Sequence, residues 1–269
     1  MDGNIDMKKV LVVLSTIFLM ADGSTIVLTP KDAKKIGQKI WHNECKGTIA
    51  GLTSWNDGED FASLGIGHFI WHPKGKSSHF IQSFPSLLFF LKERGIKLPE
   101  WLNRARLSGC PWNSREQFLK EFNSPRMKEL RKLLASTIDL QTTFIINRLK
   151  KNFPKMLRSL PSNEQEHVRK QFNRLTSSLN GTYALIDYIN FKGEGIEPSE
   201  AYQNHRWGLL QVLENMEGSS TGSSAVNDFA AAAKKVLEER VVLAPKDRNE
   251  TRWIPGWFNR INTYTKAFN

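Results

Sequence analysis

One segment of the sequence departs from helical spacing, and this departure constrains the fold more than any other feature. Residues 48–72 carry β-branched and aromatic residues among glycines, which is typical of short strands and turns. Before them, Thr29 and Pro30 mark a helix start and Gly47 can end that helix. After them the spacing is helical again. The pattern therefore predicts a mainly α (α+β) fold, with many helices around a small early β-hairpin element.

The later helices are predicted from capping signals and amphipathic runs. Ser114/Gln117 and Ser162/Gln165 have the capping-box spacing. The predicted helices lie near 85–94, 99–107, 115–122, 125–151, 163–177, 181–190, 206–216, 226–241 and 256–267. No internal repeat is visible. Residues 218–224 (GSSTGSS) indicate a flexible loop or lid within one domain, because too little chain follows them to fold alone.

The N-terminus has the pattern of a secretory signal peptide. Residues 7–9 (MKK) precede an apolar run over 10–20, and ADGS after it offers a cleavage site following Gly23. That run is shorter than the roughly 20 residues that span a bilayer. We therefore expect a signal peptide over 1–23 and a periplasmic or secreted protein of a bacterial cell envelope, without stable membrane insertion. The alternative is a buried N-terminal strand.

The chain is strongly basic, with a net charge of +11 from 38 Lys+Arg against 27 Asp+Glu. Such a field attracts polyanions such as nucleic acid, anionic lipid or the acidic polymers of a cell envelope. The basic residues are scattered, and no zinc-finger spacing, RGG tract or aromatic RNA-binding motif is present. We therefore expect no nucleic-acid partner.

Two cysteines, Cys45 and Cys110, are too few for a structural zinc site. The sequence predicts no metal and no cofactor. In an exported protein the two thiols could form one disulfide if their Cα atoms lay within about 7 Å, and the sequence leaves this pairing open.

Glu44 is the first candidate catalytic residue. At about 100° per residue, Ala33, Ile36, Ile40 and Glu44 share one stripe of the first helix. A carboxylate that continues an apolar stripe at a helix C-terminus is partly desolvated and feels the negative end of the dipole, and both effects disfavour ionisation. A general acid needs such a retained proton. The alternative is a helix-end glutamate that only points inward.

Residues 55–71 (WNDGEDFASLGIGHFIW) supply the second set of candidates. A strand phase would place Asp57 and Glu59 on one face and Asp60 on the other. Ser63 offers a hydroxyl, and the glycines before His68 allow a bend or a close backbone approach. An acid on a helix end and a second carboxylate on a nearby hairpin are the components of a glycosidase site.

The run DGEDFASLGIGH resembles the signature of phage-type lysozymes, the muramidase-type glycoside hydrolases of the lysozyme superfamily. The resemblance covers about residues 33–71, with a fainter likeness in the Trp, Pro and Arg of the C-terminal helices. It implies a single lysozyme-like domain over 24–269 with its active-site lobe at about 29–72. It implies Glu44 as general acid, Asp57 as second catalytic carboxylate, Ser63 as a group that holds the attacking water, and His68 as a mainly structural turn residue. A hairpin placed as in that family predicts the wider, inverting separation of the carboxylates.

Other polar and aromatic residues are candidates for binding or support. Glu59 is expected to support or solvate the turn. Trp55 and Trp71 could stack on sugar rings, although core packing is favoured for both.

A second cluster, DYINFKGEG at 187–195, places Asn190, Lys192 and Glu194 where they could line a groove, with Trp207 and Gln211 on the next helix. A plain helix end with its terminal glycine is the favoured alternative. Three residues are expected to pack the C-terminal helix: Trp253, Trp257 and Arg260.

The sequence thus favours an exported enzyme that cleaves β-1,4 glycosidic bonds of an amino-sugar polymer, with peptidoglycan as the first candidate substrate, and that acts as a monomer. A lytic transglycosylase or a chitosanase-like activity would use the same glutamate. The alternative of another class is a non-catalytic lysozyme-like protein that binds the cell wall or a partner protein.

Overall fold

The computed structural model describes residues 26, 28–76, 82–198 and 201–268. Of these described residues, 63% lie in helices and 6% in strands; they form eleven α-helices and, early in the chain, a three-stranded antiparallel sheet, which confirms the predicted fold class. The predicted signal peptide over 1–23 lies outside the described residues. Within the described ranges, no helix combines the length and apolar character needed to cross a membrane.

The first helix and the helix after Ser114 begin at caps that the sequence predicts, because the Thr29 and Ser114 side chains accept backbone N–H groups there. The capping box predicted for Ser162/Gln165 is wrong, since Ser162 is the first residue of its helix and no side chain caps that helix. Serine hydroxyls at positions 114, 124 and 178 accept backbone N–H groups at the starts of three helices. The helices are α1 Pro30–Cys45, α2 Phe84–Glu93, α3 Glu100–Ser108, α4 Arg115–Lys120, α5 Pro125–Ser136, α6 Ile138–Arg158, α7 Ser162–Thr176, α8 Leu179–Lys192, α9 Leu209–Glu214, α10 Ser223–Leu243 and α11 Ile254–Ile261.

The single helix predicted over 125–151 is wrong, since the chain forms α5 and α6 there. Thr137 breaks the helix with a φ of −123°, and its hydroxyl donates to the Leu133 carbonyl at 2.9 Å. The Gln141 amide donates to the Leu134 carbonyl at 2.7 Å. These side chains satisfy carbonyls at the end of α5 that would otherwise lack partners, so the break costs little.

The early sheet has the order β1-β2-β3, formed by Thr53–Ser54, Ala62–Leu64 and Phe69–Trp71. Ser54 pairs with Ser63 across β1 and β2, and Ser63 pairs with Ile70 across β2 and β3. The GIGH run is therefore the turn between β2 and β3. A second hairpin joins β4 Ala201–Tyr202 to β5 His205–Arg206.

The strand phase predicted for Asp57, Glu59 and Asp60 is wrong, because residues 55–61 form the connection between β1 and β2. The connection is fixed by its own residues. The Trp55 indole donates to the Glu59 carbonyl at 2.6 Å, and the Asn56 amide donates to the Glu59 carboxylate at 3.1 Å.

Helix α8 is the central element of the helical part, and residues 181–189 of it are all buried. It contacts α1, α6, α7, α9 and α10. Helix α1 packs closely on α6 at Gly37, where a Cβ atom would lie 2.2 Å from the Thr142 hydroxyl. This packing holds the middle of α1 against the first turns of α6.

The segment 218–224, which the sequence predicts to be a flexible loop or lid, is bonded to α7 at Ser220. Arg174 on α7 is buried and donates to the carbonyls of Glu217 at 2.6 Å and Ser220 at 2.8 Å. The same guanidinium is paired with Asp228 of α10. Helix α10 begins inside the segment, at Ser223.

Cys45 and Cys110 do not form the disulfide that the sequence left open; both are buried free thiols. Cys45 ends α1 with its sulfur 3.8 Å from the Gly65 carbonyl oxygen. Cys110 follows α3, where its backbone N–H donates to the His72 carbonyl. Burial raises the pKa of each thiol to about 12, so both remain protonated near neutral pH.

Candidate active site

The helix stripe places Glu44 as the sequence predicts. Ala33, Ile36 and Ile40 are buried along one side of α1. The Glu44 side chain continues this side with 11% of its surface exposed. The chain leaves the helix at Lys46, whose left-handed φ of 54° turns it away toward the sheet. A nearly buried carboxylate therefore lies at the helix end.

Side chains from three other elements converge on Glu44. The Asn190 amide of α8 donates to Oε1 at 3.1 Å, and the Arg260 guanidinium of α11 donates a short hydrogen bond to the same oxygen. His68 Nδ1, from the β2–β3 turn, lies 3.5 Å from Oε2. The structure thus brings together Glu44, His68 and Asn190, which the sequence singled out. His68 contacts the carboxylate directly and is more than a turn residue.

Arg260 bridges Glu44 to a second carboxylate. It donates from Nε to Asp187 Oδ2 at 2.8 Å and from Nη2 to Oδ1 at 3.0 Å. Asp187 is fully buried, and the Tyr264 hydroxyl donates to it at 2.8 Å. Arg260 thus packs the C-terminal helix as expected, and it does so by joining α11 to the carboxylates of α1 and α8.

Two residues of this cluster were missed by the sequence reasoning. Asp187 precedes Asn190 by three positions, and this spacing on a helix puts both side chains on one face, so the signal was present. Tyr264 carried no such signal.

The pKa of Glu44 departs from the sequence expectation. Burial raises it, but the positive charge of Arg260, the proximity of His68 and the hydrogen bonds from Arg260 and Asn190 together lower it below the ordinary glutamate value. Glu44 is therefore a carboxylate at neutral pH in this state. The expectation of a retained proton is wrong because the decisive partner lies 216 positions away in the sequence.

The GIGH turn approaches Asn190 so closely that only glycine fits. A Cβ atom at Gly67 would lie 2.9 Å from the Asn190 Oδ1 atom and 2.7 Å from the Phe69 ring. The Ile66 backbone N–H donates to the Gln141 side chain of α6 at 3.0 Å. His68 itself has a left-handed φ of 46°. The turn is thus anchored on α6 and α8, which positions the imidazole beside Glu44.

The other residues to which the lysozyme resemblance gives a catalytic role make no hydrogen bond or ion pair with Glu44. Asp57 is exposed in the connection between β1 and β2, and no hydrogen bond or ion pair joins it to a described residue. Ser63 is 3% exposed at the centre of the sheet. Glu59 bonds to Asn56 of its own turn. Contacts among the described residues therefore leave their proposed roles untested.

Several candidate binding residues have structural positions instead. Trp55 is 5% exposed and Trp71 is fully buried, so both pack in the core and neither ring face is open to a sugar. Gln211 caps α9, accepting from the Gly208 N–H at 3.1 Å and donating to the Gly195 carbonyl at 3.2 Å.

Further residues also differ from their expected roles. Glu194 is bound by Arg148 and Asn152 of α6, which fixes its loop. Trp207 is buried. Trp253 is 51% exposed, so it does not pack α11 as predicted.

A group of cations and aromatic rings extends from Arg260 along the end of α8, and we call Phe191, Lys192, Arg240, Trp257 and Arg260 the cation–aromatic cluster. Lys192 Nζ lies 3.7 Å from the centroid of the Trp257 ring and 4.2 Å from that of Phe191. The Arg260 guanidinium carbon lies 4.2 Å from the Phe191 centroid. The Arg240 guanidinium carbon lies 5.1 Å from the Trp257 centroid.

Among the residues that the structure describes, no group of three or more His, Cys, Asp or Glu side chains is placed to hold a metal ion. The chain matches no protein-family model, no curated protein and no solved structure. The Glu44 site presents one carboxylate at the end of α1, and this carboxylate is exposed enough to exchange a proton.

Proposed function

We propose that the chain is a glycoside hydrolase that cleaves β-1,4 bonds of an amino-sugar polymer, with peptidoglycan as the substrate and Glu44 as the proton donor. The observation that carries the proposal is the position of the Glu44 carboxylate. It is 11% exposed at a helix end and is held by groups from the β2–β3 turn, α8 and α11. The likeness of residues 33–71 to phage-type lysozymes supports the same assignment.

The reaction needs one proton and one water. Glu44 gives its proton to the glycosidic oxygen as the bond from that oxygen to the anomeric carbon breaks. A water then adds its oxygen to that carbon, and Asp57 accepts the proton that the water releases while Ser63 orients it.

Glu44 must first be protonated, and Arg260 disfavours this form in the free protein. A bound glycan that displaces water from Glu44 raises its pKa, since desolvation acts against the charged form. The rate is therefore expected to increase toward acidic pH.

A lytic transglycosylase would use the same Glu44 but attack with a hydroxyl of the sugar instead of water. Asp57 is exposed and free of contacts with other described residues, which suits a mechanism in which the glutamate alone is essential. Asp57→Asn distinguishes the two: it stops hydrolysis, whereas a transglycosylase still releases anhydro-sugar ends. A chitosanase-like activity would appear as cleavage of chitosan in place of peptidoglycan.

A non-catalytic protein that binds the wall or a partner is the second candidate, and one observation favours it. The Glu44 carboxylate is ionised and already bonded to Arg260 and Asn190, an arrangement that also serves simply to fasten α1 to α8 and α11. Under this alternative, Glu44→Gln leaves the binding behaviour unchanged.

Digestion of purified sacculi tests the proposal, with mass analysis of the released fragments. The wild type is expected to release glycan fragments and Glu44→Gln to release none. Glu59→Gln is the matched control, because its carboxylate bonds only within its own turn. Intact sacculi after incubation with the wild type would exclude the peptidoglycan substrate, and equal digestion by Glu44→Gln would exclude Glu44 as the donor.

The proposal includes export to the cell envelope, where the substrate lies, and action as a monomer. The net charge of +11 would favour binding to an anionic wall.

A further inference from the structure

The cation–aromatic cluster contains three cationic side chains, and two of them are committed to carboxylates. Arg260 bonds Asp187 and Glu44, and Arg240 donates to both oxygens of Glu250, at 2.7 and 2.9 Å. Lys192 has no hydrogen bond or ion pair with any described residue. Its amine lies against the faces of Phe191 and Trp257 and has no hydrogen-bond acceptor among the described residues, so it retains its capacity to donate to an added acceptor.

The electric field at the Lys192 amine favours an anion. The pKa of Lys192 is lowered to about 6, chiefly by burial. The positive charges of Arg240 and Arg260 also lower this pKa, and their effect is larger than the opposite effect of Glu250 and Glu44. The surrounding charged groups therefore act on this amine as a net positive charge. They lie on α10, α11, α1 and the short helix at Glu250–Trp253. An incoming carboxylate would be attracted by both arginines and would stabilise the protonated amine.

The location connects this amine to the Glu44 environment. Lys192 follows Asn190 by two positions at the end of α8, and both Lys192 and Arg260 lie over the Phe191 ring. The Lys192 residue as a whole is half-buried. A ligand that reached Glu44 along the end of α8 would therefore pass the amine, with the Trp257 ring beside it.

We propose that Lys192 forms a subsite for a carboxylate of the substrate, and that it makes the enzyme select anionic substrates over neutral ones. The inference rests on the proposed function for its substrate class. The partner of the amine is the carboxylate, and Trp257 and Phe191 supply apolar surface for the adjoining carbon skeleton.

The subsite has a predictable pH dependence. Because the pKa of the free amine is about 6, Lys192 must take up a proton before it can bind an anion as the ammonium form. The fraction of ammonium falls as the pH rises, and the apparent affinity falls in proportion to it, by about 100-fold between pH 5 and pH 8. An arginine in the same place would remain charged throughout and remove this dependence.

Monosaccharide binding tests the subsite separately from cleavage. The probes are N-acetylmuramic acid and its methyl ester, which have the same skeleton and differ in charge; neither contains a glycosidic bond to cleave. Their affinities are measured by NMR titration at pH 5 and pH 8, and the ratio of the two affinities cancels pH effects that act equally on both probes. The proteins are the wild type, Lys192→Met and Lys192→Arg. Lys150→Met is the control, since Lys150 is another half-buried lysine whose pKa burial lowers, on α6.

The wild type is expected to prefer the acid over the ester at pH 5 and to lose most of that preference at pH 8. Lys192→Met is expected to show no preference at either pH, Lys192→Arg the same preference at both, and Lys150→Met the behaviour of the wild type. Equal binding of acid and ester by the wild type at pH 5, or a preference that survives Lys192→Met, would overturn the subsite. Preference for the acid without digestion of sacculi would retain the subsite and reject the catalytic proposal.

Discussion

Removal of the Arg260 guanidinium is expected to destabilise the protein far more than removal of an exposed arginine. Arg260→Met deletes both hydrogen bonds to the fully buried Asp187 and the bond to Glu44, which is 11% exposed. Removing one partner of a buried ion pair costs about 3–5 kcal/mol, because the remaining charge is left uncompensated. The matched control is Arg104→Met, whose pair with Glu100 is 71% and 83% exposed. Exposed pairs contribute about 0–1 kcal/mol.

The penalty is also expected to depend on pH. Arg260 helps to lower the pKa of Glu44 in the folded state. The stability that Arg260 supplies through Glu44 is therefore fully present above the pKa of Glu44 in the unfolded state, and it is lost as the pH falls through the lowered pKa of the folded state. Urea unfolding followed by tryptophan fluorescence at pH 7 and at decreasing pH measures both effects. Arg260→Lys keeps the positive charge but loses the planar set of donors that binds a carboxylate through two hydrogen bonds. Its unfolding free energy is expected to lie between those of the wild type and Arg260→Met. A loss of stability no larger than that of Arg104→Met, or one unchanged across this pH range, would refute the reasoning.

The structure makes three further predictions. Gly67→Ala would press a Cβ atom against Asn190 and is expected to cost about 1–3 kcal/mol of unfolding free energy and to reduce activity, as measured by thermal melts and sacculus digestion. Cys45 and Cys110 are expected to react with a thiol reagent only after unfolding, since burial raises both pKa values to about 12; rapid labelling of the native protein would contradict this. Asp57→Asn is expected to leave stability unchanged, because its side chain is exposed and makes no hydrogen bond or ion pair with another described residue, while it abolishes hydrolysis; unchanged release of reducing ends would remove it from the mechanism.

Local signals in the sequence predict the fold class and the side of α1 on which the Glu44 side chain lies. The stripe through Ile36 and Ile40 depends only on helical spacing, and the helix starts depend on caps within a few residues, so both follow from nearby sequence. The break at Thr137 was missed because the apolar spacing continues across it, and the bonds that close α5 become visible only in three dimensions.

The site could be predicted only in part. Glu44, His68 and Asn190 were singled out by residue type and motif, and the structure brings them into contact. The Arg260 contact joins distant parts of the chain, and no local pattern encodes it. This one missing partner reversed the expected direction of the pKa shift at Glu44. Charge partners from other elements thus decide the electrostatics of a buried acid, even where its orientation follows from local sequence.

The most direct test of the account is the initial rate at which new reducing ends appear in purified sacculi between pH 4 and pH 8. The account predicts a rate that increases toward acidic pH in the wild type, as Glu44 becomes protonated, and no measurable rate at any pH in a folded Glu44→Gln variant. Equal rates for the two proteins, or no release of ends by the wild type over the whole range, would contradict it.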